Sequence, residues 1–177
     1  FIVLNEFYKI FLKVFNLNKL LNLILLFLTL SYLIYFSLII WLFLNSKIYE
    51  NKILLIFILS ICISTDIGGY FFGKIFKGKK ITKISPNKTY SGMLGSFILS
   101  FAISLIFFNQ LNLYINILIL TFIISLSSQI GDLIISYLKR KAKLKDTGSF
   151  LPGHGGVLDR IDGILFAVPL GIILVTL

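Results

Sequence analysis

Asp66 and Asp132 stand inside long apolar runs, and Asp159 and Asp162 stand at the head of another. A carboxylate within a membrane span is costly unless paired or wetted, so each is a functional candidate. Asp66 lies eight residues before Lys74 and Asp132 seven before Lys139. At ~1.5 Å per helical residue they sit ~12 Å and ~10 Å below the basic ends of their helices. The two carboxylates therefore reach matched depths from different helices. Asp159 and Asp162, at i and i+3, share one helical face. Oxygen donors of this kind suit Mg²⁺, which keeps several waters and binds through one or two carboxylates plus substrate phosphates. The plainer alternative is that these acids merely pair with nearby Lys or Arg.

The helix around Asp132 carries a stripe: Asp132, then Ser136, then Lys139 with Arg140. A deep carboxylate with cations at the mouth would set a metal beside a phosphate-binding rim. Snorkelling toward headgroups explains the cations but not the acid. Asp66 sits in Ser64-Thr65-Asp66-Ile67-Gly68-Gly69-Tyr70-Phe71-Phe72-Gly73. Gly69 and Gly73 form a small-xxx-small pair that lets helices approach closely, and packing is the better account of these glycines.

These residues need a membrane scaffold to position them. The 177-residue chain is 58% hydrophobic and 15% aromatic, with a mean hydropathy of +0.99. A soluble domain of this size has too little interior to hide that much apolar surface. The runs Leu20–Leu44, Ile53–Phe72, Gly92–Phe108, Ile115–Leu138 and Ile161–Leu177 predict about five spans. The amphipathic opening from Phe1 to Leu20 reads as an interfacial helix or the tail of a further span, and a chain starting at Phe1 reads as a fragment lacking upstream residues. The expected fold is all-α: a polytopic transmembrane helical bundle with a cytoplasm-facing polar cavity, formed by residues 1–177 as one membrane-embedded domain.

Lys and Arg outnumber Asp and Glu by 17 to 7. The excess sits mainly in Lys74–Lys88 and Lys139–Lys145, which favours lipid headgroups and phosphates over nucleic acid. By themselves such blocks are a topogenic signal, and they place both basic loops on the cytoplasmic side. One cysteine, Cys62, and one histidine, His154, exclude an internal disulfide and disfavour a zinc site.

The segment Ser136–Asp162 reads SYLKRKAKLKDTGSFLPGHGGVLDRID. It resembles the signature of the phosphatidate cytidylyltransferase family, through Ser136, Lys139, Arg140, Lys145, Asp146, Pro152, His154, Gly155, Gly156, Asp159, Arg160 and Asp162. Upstream, Asp66, Gly68, Tyr70, Gly73, Lys74, Ser85, Pro86, Lys88 and Thr89 are similar to a second pattern of that family, with Asn87 where a lysine is expected. The resemblance implies transfer of a cytidylyl group from CTP to phosphatidic acid, giving CDP-diacylglycerol and pyrophosphate. It implies Mg²⁺, with room for a second metal ion. Asp132 and Asp159 are the expected metal ligands, with Asp66, Asp146 and Asp162 in support. Lys139, Arg140, Lys145 and Arg160 would bind the triphosphate or the lipid phosphate, as would Ser85, Lys88, Thr89 and Ser136. Gly155 and Gly156 would admit a phosphate closely, since glycine has no Cβ. His154 would orient a phosphate or a carboxylate, against the plain alternative of a structural loop histidine. The expected partners are CTP, phosphatidic acid and membrane lipids, with a homodimer as an option and no nucleic acid. The expected location is the bacterial inner membrane.

Other classes compete. A transporter would also carry acids in spans, but would not need so many cations and acids at one face. A CDP-alcohol phosphotransferase would show an Asp-Gly-x-x-Ala-Arg pattern, which this sequence lacks. A cytidylyltransferase of ether lipids shares the headgroup chemistry. A purely structural subunit would gain nothing from acids in its spans.

Overall fold

A computed structural model describes residues 1–15, 19–82, 85, 88–111, 115–148, 150 and 155–176. The described chain is helical throughout: α1 (Ile2–Phe15), α2 (Lys19–Leu44), α3 (Tyr49–Phe76), α4 (Tyr90–Ser104), α5 (Ile117–Lys141) and α6 (Leu158–Thr176). Among the described residues the extended pairing is an isolated bridge, Lys80 with Thr89, in the basic loop between α3 and α4. Local chemistry starts these helices. The Thr89 hydroxyl accepts from the Gly92 N–H at 3.1 Å to cap α4, and Asn116 accepts from the Leu118 N–H at 2.8 Å to cap α5. Each satisfies a first-turn donor that the helix leaves unpaired.

Four helices are long and apolar enough to cross a bilayer: Leu20–Leu44, Tyr49–Phe76, Tyr90–Phe107 and Ile117–Lys141. The chain is an integral membrane protein. The fifth expected span corresponds to α6, whose 19 residues reach ~28 Å. It falls outside that set because Asp159, Arg160 and Asp162 crowd its first turns. α3 also runs on past the expected Phe72 to Phe76, taking Lys74 into its last turn.

The core joins α3, α5 and α6 through Phe57, Ile58, Ile61, Leu120, Ile124 and Val168. A second cluster holds Ile10 of α1 against Ile135, Leu158 and Leu165. The opening helix, expected at the interface, thus docks its apolar stripe on the bundle. Pro169 interrupts α6 and lacks the N–H that would serve the Leu165 carbonyl one turn earlier. The Tyr32 hydroxyl donates to that carbonyl from α2. A lipid-embedded backbone has no water to do this, so the partner must come from another helix.

Glycines set how closely the helices cross. A Cβ added at Gly68 would stand 2.6 Å from the Gly95 carbonyl oxygen, and one at Gly131 would stand 2.9 Å from the Asp162 carbonyl oxygen. Asp66, Asp132 and Asp162 all lie within two residues of such contacts or form them. Close packing of α3 on α4, and of α5 on α6, is what brings the acids into one space. Gly68→Ala puts a methyl group against backbone that cannot rotate away, and should cost about 1–3 kcal/mol. Thermal denaturation in detergent checks this; an unchanged midpoint would show that the crossing is set elsewhere.

Candidate active site

The basic C-terminal halves of α3 and α5 and the N-terminal turns of α4 and α6 line a cavity of about 370 Å³. α3 contributes Thr65, Asp66, Gly69 and Tyr70, and the following loop contributes Ile81, Ser85, Lys88 and Thr89. α4 adds Gly92, Met93 and Ser96, α5 adds Gln129 and Asp132, and α6 adds Asp159 and Asp162. Four carboxylates from three helices share one opening.

Two lysines neutralise part of that charge. Lys88 pairs with Asp132, their side chains 24% and 31% exposed. Lys139 pairs with Asp159 at 2.6 Å, their side chains 12% and 11% exposed. Ser136 donates to Asp132 Oδ1 at 3.1 Å, the i and i+4 contact that the spacing on α5 predicted. Asp159 Oδ2 accepts from the N–H groups of Thr147 and Gly156, both at 2.9 Å, and lies 3.0 Å from the Thr147 hydroxyl. Asp159 stands ahead of the apolar part of α6. Burial pushes its carboxyl up, but Lys139 and the two backbone donors outweigh this and hold it below the usual carboxylate range.

Among the described residues, no three Asp, Glu, His or Cys side chains converge closely enough to enclose a metal ion. Mg²⁺ does not need three, since water and substrate phosphates complete its shell. Asp132 and Asp162 both line the cavity, and acids gathered in one space call for a cation or a shared proton. A carboxylate has about four lone-pair sites. Asp132 carries one named partner on each oxygen, and Asp159 Oδ1 carries Lys139, so both keep capacity. The carboxylates of the cavity fit a hard cation held by one or two acids.

The remaining expected residues are placed differently. Asp146 and Lys145 are exposed and do not line the cavity, and neither do Arg140 and Arg160. Asp146 sits on the loop after α5 with its side chain beside Gly155, the residue that also abuts Asp159 Oδ2. Arg140 donates to the Leu144 carbonyl at 3.3 Å. The Gly156 N–H serves Asp159, and Gly155 takes a φ of +83°. His154, Pro152, Pro86 and Asn87 lie outside the described residues.

Sequence reasoning passed over Gln129, Thr65 and Ser96 in the cavity wall, and above all Glu6. Glu6 is 3% exposed and accepts from the N–H groups of Val157 and Leu158 at 3.0 and 2.8 Å. A signal existed: Glu6 falls three residues after Val3 and four before Ile10, within the apolar face of α1 rather than opposite it.

A family model described as the cytidylyltransferase family matches residues 1–177. The chain belongs to the cytidylyltransferase family. Among similar proteins, the phosphatidate cytidylyltransferase of Bacillus subtilis (strain 168) is 46% identical over 110 residues, 60% of this chain and 41% of that protein. Those of Staphylococcus haemolyticus (strain JCSC1435) and Staphylococcus aureus (strain COL) are each 46% identical over 110 residues, 60% of this chain and 42% of theirs. The aligned stretch spans 41–42% of these curated relatives. Within this cytidylyltransferase chain, Lys139→Met should leave Asp159 without its cation and cost about 3 kcal/mol at neutral pH. The loss should shrink on acidification, as Asp159 protonates and no longer needs a counter-charge. Denaturation midpoints of both proteins across pH check this, and a pH-independent difference would sink it.

Proposed function

We propose that this protein transfers a cytidylyl group from CTP to phosphatidic acid, giving CDP-diacylglycerol and pyrophosphate. One observation carries the reading: in a chain of the cytidylyltransferase family, four aspartates and Lys88 line one cavity where the basic loops emerge. The similar proteins named above are phosphatidate cytidylyltransferases, which favours this lipid phosphate as acceptor.

The chemistry suits a site poor in bases. A phosphate monoester has a second pKa near ~6, so the acceptor is already largely dianionic at neutral pH. Its oxygen attacks the α-phosphorus of CTP, the α–β bridging bond breaks, and pyrophosphate leaves. The obstacle is the meeting of two anions, and positioning with charge neutralisation is the remedy. Asp132 and Asp159, supported by Asp162 and Asp66, are the residues we assign to hold Mg²⁺. When bound, Mg²⁺ neutralises triphosphate charge and polarises the phosphoryl oxygens. Lys88 and Lys139 stand beside those carboxylates and supply fixed cations to the phosphates. Ser85 and Thr89 present hydroxyls on the same wall. Arg140, Lys145 and Arg160, exposed near this end of the bundle, are assigned to draw anionic substrates toward the cavity. We assign this end to the cytoplasmic side of a bacterial inner membrane, an orientation that the two basic loops favour and that gives access to CTP.

Incubation of the purified protein with labelled CTP, phosphatidic acid and Mg²⁺, followed by lipid extraction, tests the assignment. Label should enter the organic phase only when all three are present. Asp132→Asn should lower the rate about a hundredfold or more while the protein still inserts. Near-normal turnover would remove Asp132 from the metal site, and no labelled lipid from the unsubstituted protein would overturn the reaction class.

A further inference from the structure

The connection from α5 to α6 has to deliver Asp159 to the cavity. Its described flanks wrap around one side chain from the opposite end of the sequence. Glu6 Oε1 accepts from the Val157 N–H at 3.0 Å. Glu6 Oε2 accepts from the Leu158 N–H at 2.8 Å and the Thr147 hydroxyl at 2.9 Å. Those N–H groups belong to the start of α6, where a helix leaves its donors unpaired and favours negative charge. Glu6 is therefore the cap of α6, supplied 152 residues away.

The backbone is shaped to admit it. A Cβ added at Gly148 would stand 2.6 Å from Glu6 Oε1, and one at Gly156 would stand at the same 2.6 Å. Both glycines make room for this carboxylate, a role separate from approach to a phosphate. The Thr147 hydroxyl lies between Glu6 Oε2 and Asp159 Oδ2, at 2.9 and 3.0 Å. It carries a single hydrogen, so its donation to one carboxylate is taken from the other. Thr147 and Gly156 also give their N–H groups to Asp159. A buried carboxylate is costly unless its acceptor sites are filled, and here one donor, the Thr147 hydroxyl, is shared between Glu6 and Asp159.

We propose that Glu6 is a positioning residue for the cavity: from α1 it fixes the first turn of α6 and, through Thr147, the carboxylate of Asp159. The role of the site in cytidylyl transfer rests on the function proposed above. The clamp itself is a property of the fold. α1 is on this account part of the active-site scaffold and not only a membrane-surface helix.

The test uses the full chain in detergent with Glu6→Gln, Thr147→Val and Thr147→Ser. Gln keeps the shape of Glu6 but offers one acceptor oxygen and no charge. Trypsin reports on the clamp without any substrate, through cleavage after Lys143 or Lys145. Glu6→Gln and Thr147→Val should each speed that cleavage about tenfold as the segment opens locally, and Thr147→Ser should restore resistance. In the labelled-CTP assay, Glu6→Gln should lower kcat and raise the Mg²⁺ concentration for half-maximal rate about tenfold, leaving the KM for lipid within about twofold. The double variant should be no worse than the worse single one, since both break the same unit. Wild-type cleavage and Mg²⁺ requirement in Glu6→Gln would overturn the proposal. Should Glu6→Gln aggregate, Thr147→Val decides by the same readouts. If the unsubstituted protein makes no labelled lipid, the reaction class fails while the cleavage arm still decides the clamp.

Discussion

Like charges have to be held together in a place where charge is expensive. Asp66, Asp132, Asp159 and Asp162 meet at one cavity, and water alone does not reconcile them in a bilayer. Each arrangement around them answers that constraint. Lys88 and Lys139 arrive from separate segments to neutralise the pair, and Ser136 with the backbone of Thr147 and Gly156 fills some of the other lone pairs. A site of this kind retains unsatisfied negative potential, which a hard cation and a polyphosphate relieve together. Charge balance and substrate chemistry are therefore one design problem.

Convergence of the acids depends on how near the backbones lie. Gly68 against Gly95 and Gly131 against Asp162 remove the spacing that side chains would impose. In lipid, where apolar burial does not drive helices together, such contacts and interhelical hydrogen bonds carry the association. Ser96 donates to the Thr65 carbonyl at 2.7 Å, and Thr65 to Ser125 at 2.8 Å, directly beneath the cavity. The packing motif beside each acid and the acid itself serve the same end.

Glu6 adds a long-range element to this picture. Asp159 of α6 takes the Gly156 N–H, and the Val157 and Leu158 N–H groups are left to a side chain from elsewhere. The structure supplies the cap from α1, whose apolar stripe is already docked by Ile10 against Ile135, Leu158 and Leu165. Hydrophobic docking of α1 thus sets a carboxylate against the Thr147 hydroxyl and the first N–H groups of α6.

The sequence by itself determined the membrane character, the helical class and the spacing of Asp66 and Asp132 from the basic ends of their helices, because hydropathy and helical rise are local properties of consecutive residues. It also made the Asp132–Ser136 stripe legible, since i and i+4 neighbours meet in any helix. Only the tertiary structure decided that Lys88 pairs with Asp132, that Asp146 stays outside the cavity, and that Glu6 caps α6. These outcomes join segments up to 152 residues apart, and their geometry follows from how α1, α5 and α6 pack, which no periodicity along the chain encodes.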